Sequence, residues 1–109
     1  MRQERNQQTT FGKRIFGRRD DIRETTEIIV GIMQGESPKI HVQMLNISRS
    51  GFQFSSVTPI RTSASILMQV GNYTPLAANI RWSVDQLYGC EFFNPLNNLM
   101  LQKILERSL

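Results

Sequence analysis

Short runs of alternating apolar and polar residues, separated by turn residues, occupy most of this chain. Six such runs span residues 25–33, 39–45, 52–55, 65–70, 76–82 and 87–92. A period of two gives each strand one apolar and one polar face, which favours an antiparallel over a parallel sheet. Because a sheet this small leaves exposed edges unless it closes, the sequence predicts a six-stranded antiparallel β-barrel.

Turn residues mark where each run ends, and the parity of the apolar positions within a run predicts which side chains face the core. Turn residues at 34–38, at Gly71-Asn72 and at 83–86 separate neighbouring runs. In the fifth run, Trp82 has the same parity as the apolar Ile80, so the alternation predicts that its side chain lies in the core.

The C-terminal segment has a different period. Asn94 is a good helix N-cap and Pro95 suits the first helical position. Apolar residues at helical spacing follow through residues 96–107, which predicts a short amphipathic α-helix covering one mouth or side of the barrel.

The positive charge is confined to the N-terminal segment. Residues 1–23 carry seven basic and three acidic side chains, whereas the remaining residues carry six of each. Few apolar residues occur before the first strand, and Gly12 and Gly17 interrupt any helical pattern. We therefore expect residues 1–17 to form a flexible basic arm and residues 18–109 to form the domain, with an anionic partner for the arm.

Several kinds of chemistry lack the residues they need. His41 and Cys90 are the only histidine and the only cysteine, so a zinc site of the usual ligand number is not expected. We predict no enzymatic activity, no metal and no cofactor, because the sequence has no P-loop, no Gly-x-Ser-x-Gly motif and no suggestive pair of carboxylates. No apolar run is long enough to span a membrane, and the lone cysteine fits a cytoplasmic protein.

Two polar clusters remain, one before the first strand and one between the second and third strands. The first is RRDDIR at residues 18–23, in which Arg19 and Arg23 form Arg-x-x-x-Arg. The second is Asn46-x-Ser48-x-x-Gly51. In this order, framing a two-strand unit, they resemble the signature of the bacterial PilZ family. The segments 80–82 and 88–92 are also similar to the closing hairpin of that family, and the resemblance covers about residues 18–108.

The resemblance implies a PilZ-like barrel that binds cyclic di-GMP and signals to a downstream protein partner through a change in its N-terminal arm. The residues it assigns to the ligand are Arg18, Arg19, Arg23, Asn46, Ser48 and Gly51. The family often has aspartate at the position of Asn46. Asparagine keeps an acceptor oxygen but loses the charge, so we expect binding to be retained, though weakened.

The chemistry of these residues suits that ligand. An arginine fork matches the O6 and N7 acceptors of guanine, and it also pairs with phosphate or stacks on a purine. The side-chain oxygen of Asn46 can accept from guanine N1–H and N2–H, and the hydroxyl of Ser48 can donate or accept. Gly51 would allow a positive φ or a close approach of the backbone.

A second group of residues consists of additional candidate contacts. Arg49 and Ser50 lie within the second motif, and Trp82 could stack on a guanine if it were not in the core. Arg14 and Arg18 form a second Arg-x-x-x-Arg, and the sequence does not decide which copy dominates. In the family, the residue at position 18 influences whether one ligand or a stacked pair binds, and arginine is compatible with the pair.

Two other functions stay open at this point. The domain could be a degenerate PilZ adaptor that binds only proteins, although such members typically lack the arginines. It could also bind nucleic acid through the basic arm, but aromatic residues make up only 8% of the chain and fall mostly at core positions.

Overall fold

The computed structural model describes residues 22–107, which form a closed antiparallel β-barrel with a C-terminal helix. Its strands are β1 (Glu24–Met33), β2 (Ile40–Ile47), β3 (Gly51–Ser55), β4 (Ile66–Gln69), β5 (Leu76–Val84) and β6 (Leu87–Phe92). They follow the order β1-β2-β3-β6-β5-β4 around the barrel, and β4 pairs with β1 to close it. The predicted six-stranded barrel is therefore confirmed. The proposed arm at 1–17 lies outside the described residues.

The core forms because one face of every strand is apolar. Phe52, Phe54 and Met44 are fully buried, and each alternates with a more exposed neighbour. The rings of Phe54 and Tyr88 stack with centroids 5.0 Å apart, while those of Phe52 and Phe92 lie 5.2 Å apart. These aromatic pairs join β3 to β6 and fix the register of the two strands.

Helix α1 (Asn98–Glu106) closes the end of the barrel that carries the β2–β3 turn. Ile104 on the helix is fully buried, and Met100, Leu101 and Leu105 pack against the core. At the end of the helix, the Arg107 guanidinium lies 5.4 Å from the centroid of the Tyr73 ring. The predicted amphipathic helix is therefore present.

The predicted start of that helix was wrong. Asn97, rather than Asn94, is the N-cap, and its side-chain oxygen accepts from the Met100 N–H at 2.7 Å. The reason is tertiary: Leu96 exchanges hydrogen bonds with Arg49, which hold the segment before Asn97 against the β2–β3 turn. The helix begins only after these bonds end.

The last hairpin also differs from its prediction. Strand β5 continues to Val84, which pairs with Leu87, so the predicted four-residue turn at 83–86 shortens to two residues. Asp85 supplies the left-handed conformation there, with φ 55°. The predicted turn at Gly71-Asn72 is present, with Gly71 at φ 56°.

Candidate functional site

Three of the strands contain a register shift, and all three shifts adjoin one row of residues across the outside of the barrel. This outer row is Thr25, Asn46, Gln53, Gly89 and Trp82, each paired with the next across neighbouring strands. The shifts lie between Thr25 and Ile28, between Met44 and Asn46, and between Ile80 and Trp82. Bulges re-aim side chains and are common beside functional sites, so the outer row is the candidate site.

The shift in β2 turns Asn46 outward. Met44 faces the core, so simple alternation would place Asn46 there as well. Instead Met44 pairs with Phe54 and Asn46 with Gln53, which leaves Leu45 as the extra residue. Gln53 lies between the buried Phe52 and Phe54 and therefore faces outward, and its partner Asn46 shares that face.

A chain of hydrogen bonds then links Arg23, Asn46 and Gln53, and we call these three residues the polar chain. Arg23 Nη1 donates to Asn46 Oδ1 at 2.8 Å, and Asn46 Nδ2 donates to Gln53 Oε1 at 2.8 Å. All three side chains are half-buried. One member of each sequence motif, Arg23 and Asn46, is thus brought into direct contact.

At the other end of the outer row, the indole of Trp82 covers Gly89. A Cβ atom at Gly89 would overlap ring atoms Cε2 and Nε1 of Trp82, so the ring needs a glycine beneath it. Trp82 is half-buried and lies outside the core cluster. The prediction that it packs inside was wrong, because the bulge at Arg81 pairs Trp82 with the outward-facing Gly89.

The β2–β3 turn is held by its own serines. Ser48 is fully buried, and its Oγ lies 3.3 Å from Ser50 Oγ and 3.4 Å from the carbonyl oxygen of Gly51, to which it donates. The Ser50 N–H donates to Ser48 Oγ at 3.3 Å, and the Ser48 N–H donates to the Gly51 carbonyl at 2.8 Å. The Ser48 hydroxyl therefore shapes the turn from inside.

Gly51 does not have the backbone conformation suggested for it. Among residues 22–107, the glycines with positive φ are Gly35 and Gly71. Gly51 is instead the buried first residue of β3, where it pairs with Glu91. The positive φ suggested for Gly51 is therefore not observed.

Arg49 points away from the outer row and toward the helix. Its Nε donates to the Leu96 carbonyl at 2.9 Å, and its own carbonyl accepts from the Leu96 N–H at 2.8 Å. The Phe92 N–H also donates to the Ser50 carbonyl at 2.8 Å. The turn is therefore tied directly to the segment that leads into α1.

A comparison with protein-family models matches residues 17–109 to the model described as PilZ domain. The chain belongs to the PilZ domain family. This match covers the whole barrel and the helix, so the resemblance seen in the sequence is confirmed. A search of curated proteins found no match to the chain.

PilZ domains are cyclic di-GMP-binding modules and are generally non-catalytic. Among residues 22–107, no group of three or more His, Cys, Asp and Glu side chains is placed to hold a metal ion. Over the same residues, no helix has the length and apolar character needed to cross a membrane.

Cys90 is buried inside the PilZ barrel, near enough to the polar chain to feel the charge of Arg23. Burial raises the pKa of the Cys90 thiol from 9.0 to about 12, and the positive charge of Arg23 partly opposes that rise. The thiol is therefore neutral at physiological pH, as expected for a small apolar side chain in a core. The guanidinium of Arg23 lies close enough to act on the interior through the barrel wall.

An open cleft of about 380 Å³ borders the outer row on β5 and β6 of the PilZ domain. Its lining residues are Asn79, Arg81, Glu91, Phe92, Phe93 and Asn94. Arg81, the extra residue of the β5 bulge, is held by Glu91 with Nη2 and Oε1 2.6 Å apart. Through Arg81, the cleft lies one residue along β5 from Trp82.

The structure brings together only part of the residue set expected from the PilZ signature. Arg23 and Asn46 meet on the outer wall, and Ser48, Ser50 and Gly51 lie in the adjoining turn. Arg14, Arg18 and Arg19 lie outside the described residues.

The sequence analysis did not identify Gln53 and Gly89 as site residues, because it relied on the two signature motifs and neither residue belongs to them. A signal existed in the sequence: the apolar residues of β2 are at positions 40, 42, 44, 45 and 47, so the period of two breaks at Leu45. Such a break predicts a bulge, and a bulge in β2 would have brought Asn46 beside Gln53 on the outer face.

Proposed function

We propose that this PilZ domain is a non-catalytic receptor for cyclic di-GMP that signals to a protein partner. The observation that carries the proposal is the 2.8 Å hydrogen bond between Arg23 and Asn46, because it joins the two halves of the family signature on one surface. That surface holds a cation, a neutral acceptor and an aromatic side chain close to one row. Phosphodiester, guanine edge and purine face each have a matching group there.

In the proposed complex, each polar or aromatic group of this surface has a distinct task. Arg23 binds a phosphate or the O6 and N7 edge of guanine, while Asn46 Oδ1 accepts from a guanine N–H. The half-exposed indole of Trp82 offers a surface for a second ring. Ser48 and Gly51 act by holding the turn that presents Asn46, since the Ser48 hydroxyl is engaged within the turn.

The remaining contacts are proposed for the N-terminal segment. Arg18 and Arg19 precede Arg23 by only a few residues, so they are within chain reach of a ligand held on the outer row. Binding would order this segment around the ligand, with Arg14 as the alternative partner. Two adjacent arginines also supply positive charge against the four phosphates of a stacked pair of ligands.

The route to a partner would pass through α1 as well as through the arm. The β2–β3 turn and the segment before α1 share the hydrogen bonds of Arg49 with Leu96. A ligand that shifts the turn would therefore shift the start of the helix. We place this receptor in the cytoplasm, where an unpaired buried cysteine such as Cys90 is stable.

Isothermal titration with cyclic di-GMP tests the proposal, with GMP and cyclic di-AMP as controls. We expect selective binding, with a stoichiometry that distinguishes one ligand from a stacked pair. The variants Arg23→Ala and Arg19→Ala should each abolish tight binding. Arg61→Ala is the matched control, because Arg61 contacts Gln34 at the opposite end of β1 and should leave affinity unchanged.

Two outcomes would overturn the receptor function. If the wild-type protein gives no heat with cyclic di-GMP at micromolar concentration, the domain is an adaptor for proteins. If Arg19→Ala and Arg23→Ala each weaken binding only gradually, with a steep salt dependence, the basic segment binds polyanions such as nucleic acid.

A further inference from the structure

Gln53 lies outside both signature motifs, yet it contacts the residue on which the second motif depends. It is half-buried on the outer face of β3 and pairs across the sheet with Asn46 on one side and Gly89 on the other. Its Oε1 accepts a hydrogen bond from Asn46 Nδ2 at 2.8 Å. The bulge at Leu45 is what makes these two side chains neighbours.

An asparagine at position 46 faces a problem that an aspartate does not. The carboxylate of aspartate has two equivalent acceptor oxygens, whereas the amide of asparagine has one acceptor and one donor group. A half-turn about the last side-chain bond exchanges the two groups. In the wrong orientation, Asn46 would present N–H groups to the N–H donors of guanine, and the contact would become repulsive.

The neighbours of Asn46 favour one orientation. Arginine can only donate hydrogen bonds, so the group facing Arg23 Nη1 must be Oδ1. Asn46 Nδ2 then faces Gln53, whose Oε1 accepts from it, and Asn46 could reverse and keep this bond only if the Gln53 amide made a half-turn as well. Arg23 is also a proposed ligand contact and can change partner on binding, which leaves Gln53 as the contact that persists.

We propose that Gln53 is a positioning residue that holds the Asn46 amide with its oxygen toward the ligand. The inference rests on the proposed function of this surface as a cyclic di-GMP site. Gln53 acts through Asn46, and it matters because position 46 is an amide. In a protein with aspartate at this position, either oxygen would serve and the orienting contact would lose its importance.

A double-mutant cycle tests this dependence. Cyclic di-GMP is titrated into the wild-type protein, Gln53→Leu, Asn46→Asp and the double variant. With asparagine at position 46, Gln53→Leu should weaken binding by about tenfold, the equivalent of losing one orienting hydrogen bond. In the Asn46→Asp background, the same change should weaken binding by less than about twofold, because no orientation has to be held.

A readout in the absence of ligand separates this inference from the proposed function. Arg23 also holds the Asn46 amide in the ligand-free protein, so the comparison is made in ¹⁵N-labelled Arg23→Ala protein. There the Asn46 side-chain amide should be rigid while Gln53 is present and mobile in Arg23→Ala/Gln53→Leu, as reported by its heteronuclear NOE. Gln53→Met, which is unbranched like glutamine, repeats each measurement if the leucine variant does not fold. Melting temperatures of all variants check that the barrel is intact.

The outcomes are distinct. If Gln53→Leu costs the same affinity with asparagine as with aspartate at position 46, or costs none in either background, the role of Gln53 is overturned while the receptor function stands. If the wild-type protein does not bind cyclic di-GMP, the receptor function fails. In that case a rigid Asn46 amide in Arg23→Ala/Gln53→Leu overturns the orienting role as well, whereas a mobile one supports it independently of the ligand.

Discussion

Two side-chain amides lie at opposite ends of strand β1, and they are hydrogen-bonded in different ways. Gln34, just after β1, is buried, and its Nε2 donates to the backbone carbonyls of Arg61 and Ala64 at 2.7 and 3.2 Å. Its Oε1 accepts from the Arg61 N–H at 3.3 Å. Asn46, on the strand paired with the start of β1, is half-buried and bonds to the side chains of Arg23 and Gln53.

The difference separates a structural amide from one suited to binding. Backbone partners cannot move without disturbing the barrel, so Gln34 fastens the β3–β4 loop to the end of β1. Side-chain partners can change rotamer and exchange one contact for another, so Asn46 can give its oxygen to a ligand at small cost. The comparison leads to five predictions, from the largest expected effect to the smallest.

The contrast between Gln34 and Asn46 requires that Gln34 stabilises the fold. Gln34→Leu should lower the free energy of unfolding by about 2–3 kcal/mol, because it strands several backbone groups of the β3–β4 loop. Affinity for cyclic di-GMP should not change. Urea unfolding measures the first effect, and Gln43→Leu is the control, since Gln43 is exposed on the outer face of β2. Equal effects at both positions would remove the distinction.

Asn46→Ala should give the opposite result. We expect affinity to fall about thirtyfold, or about 2 kcal/mol, because the proposed acceptor for guanine is lost. The free energy of unfolding should change by less than about 1 kcal/mol, since the side chains left behind, Arg23 and Gln53, are only partly buried and can change rotamer. Calorimetric titration measures the affinity, and urea unfolding of the same preparation measures the free energy of unfolding. A large loss of stability would make Asn46 structural like Gln34.

The far end of the outer row can be tested at Gly89. Gly89→Ala should destabilise the fold by about 1–2 kcal/mol, because the new methyl group displaces the Trp82 ring. Trp82 is the only tryptophan, so its fluorescence reports the displacement directly. Gly31→Ala is the matched control: its Cβ would meet the flexible side chain of Lys39, which can move aside. An unchanged spectrum in Gly89→Ala would contradict the observed packing.

The interior behind the polar chain gives a pH-dependent prediction. Burial raises the Cys90 pKa to about 12 in the folded protein, against an ordinary value of 9.0. Below pH 9 the Cys90 thiol is neutral in both the folded and the unfolded protein, and its contribution to the free energy of unfolding is fully present. Above it the unfolded chain ionises first, so stability is lost as the pH rises toward 12, on the order of 1 kcal/mol per unit.

Cys90→Ala tests that window. The variant should show a shallower loss of stability than the wild type between about pH 9 and about pH 11 in urea unfolding, whatever its stability at neutral pH. Parallel curves for the two proteins would show that the thiol does not ionise on unfolding in this range.

The smallest effect is expected at the ion pair beside the outer row. Arg81 and Glu91 form their contact at the surface, with side-chain exposures of 53% and 39%. Arg81→Met should therefore change stability by less than about 0.5 kcal/mol, and salt should reduce the difference further. A larger change would mean that the pair stabilises the β5 bulge, which melting curves at low and high salt would reveal.

Much of the fold could be predicted from local pattern. Alternating runs located every strand, because a half-buried strand must place apolar side chains two residues apart. The helix was predicted from its apolar stripe, although its N-cap was not, since the hydrogen bonds that Leu96 exchanges with Arg49 join residues far apart in the chain.

The site was predictable in its motif members and not in their surroundings. Arg23 and Asn46 were identified from spacing, but the directions of Asn46 and Trp82 depend on bulges, and a bulge is set by the neighbouring strand. A single extra residue reverses which face a side chain occupies. Asn46 contacts Gln53, and the Trp82 ring packs over Gly89, only once the strands are paired.

The sequence by itself thus determined the strands, the amphipathic helix, the basic N-terminal segment and the two halves of the family signature, all of which depend on residues close together in the chain. Tertiary structure decided which polar side chains share the outer wall and which are enclosed. The physical reason is register: side-chain direction in a sheet follows from pairing across strands, and three shifts in that pairing adjoin the wall where Arg23, Asn46 and Gln53 form one hydrogen-bonded chain.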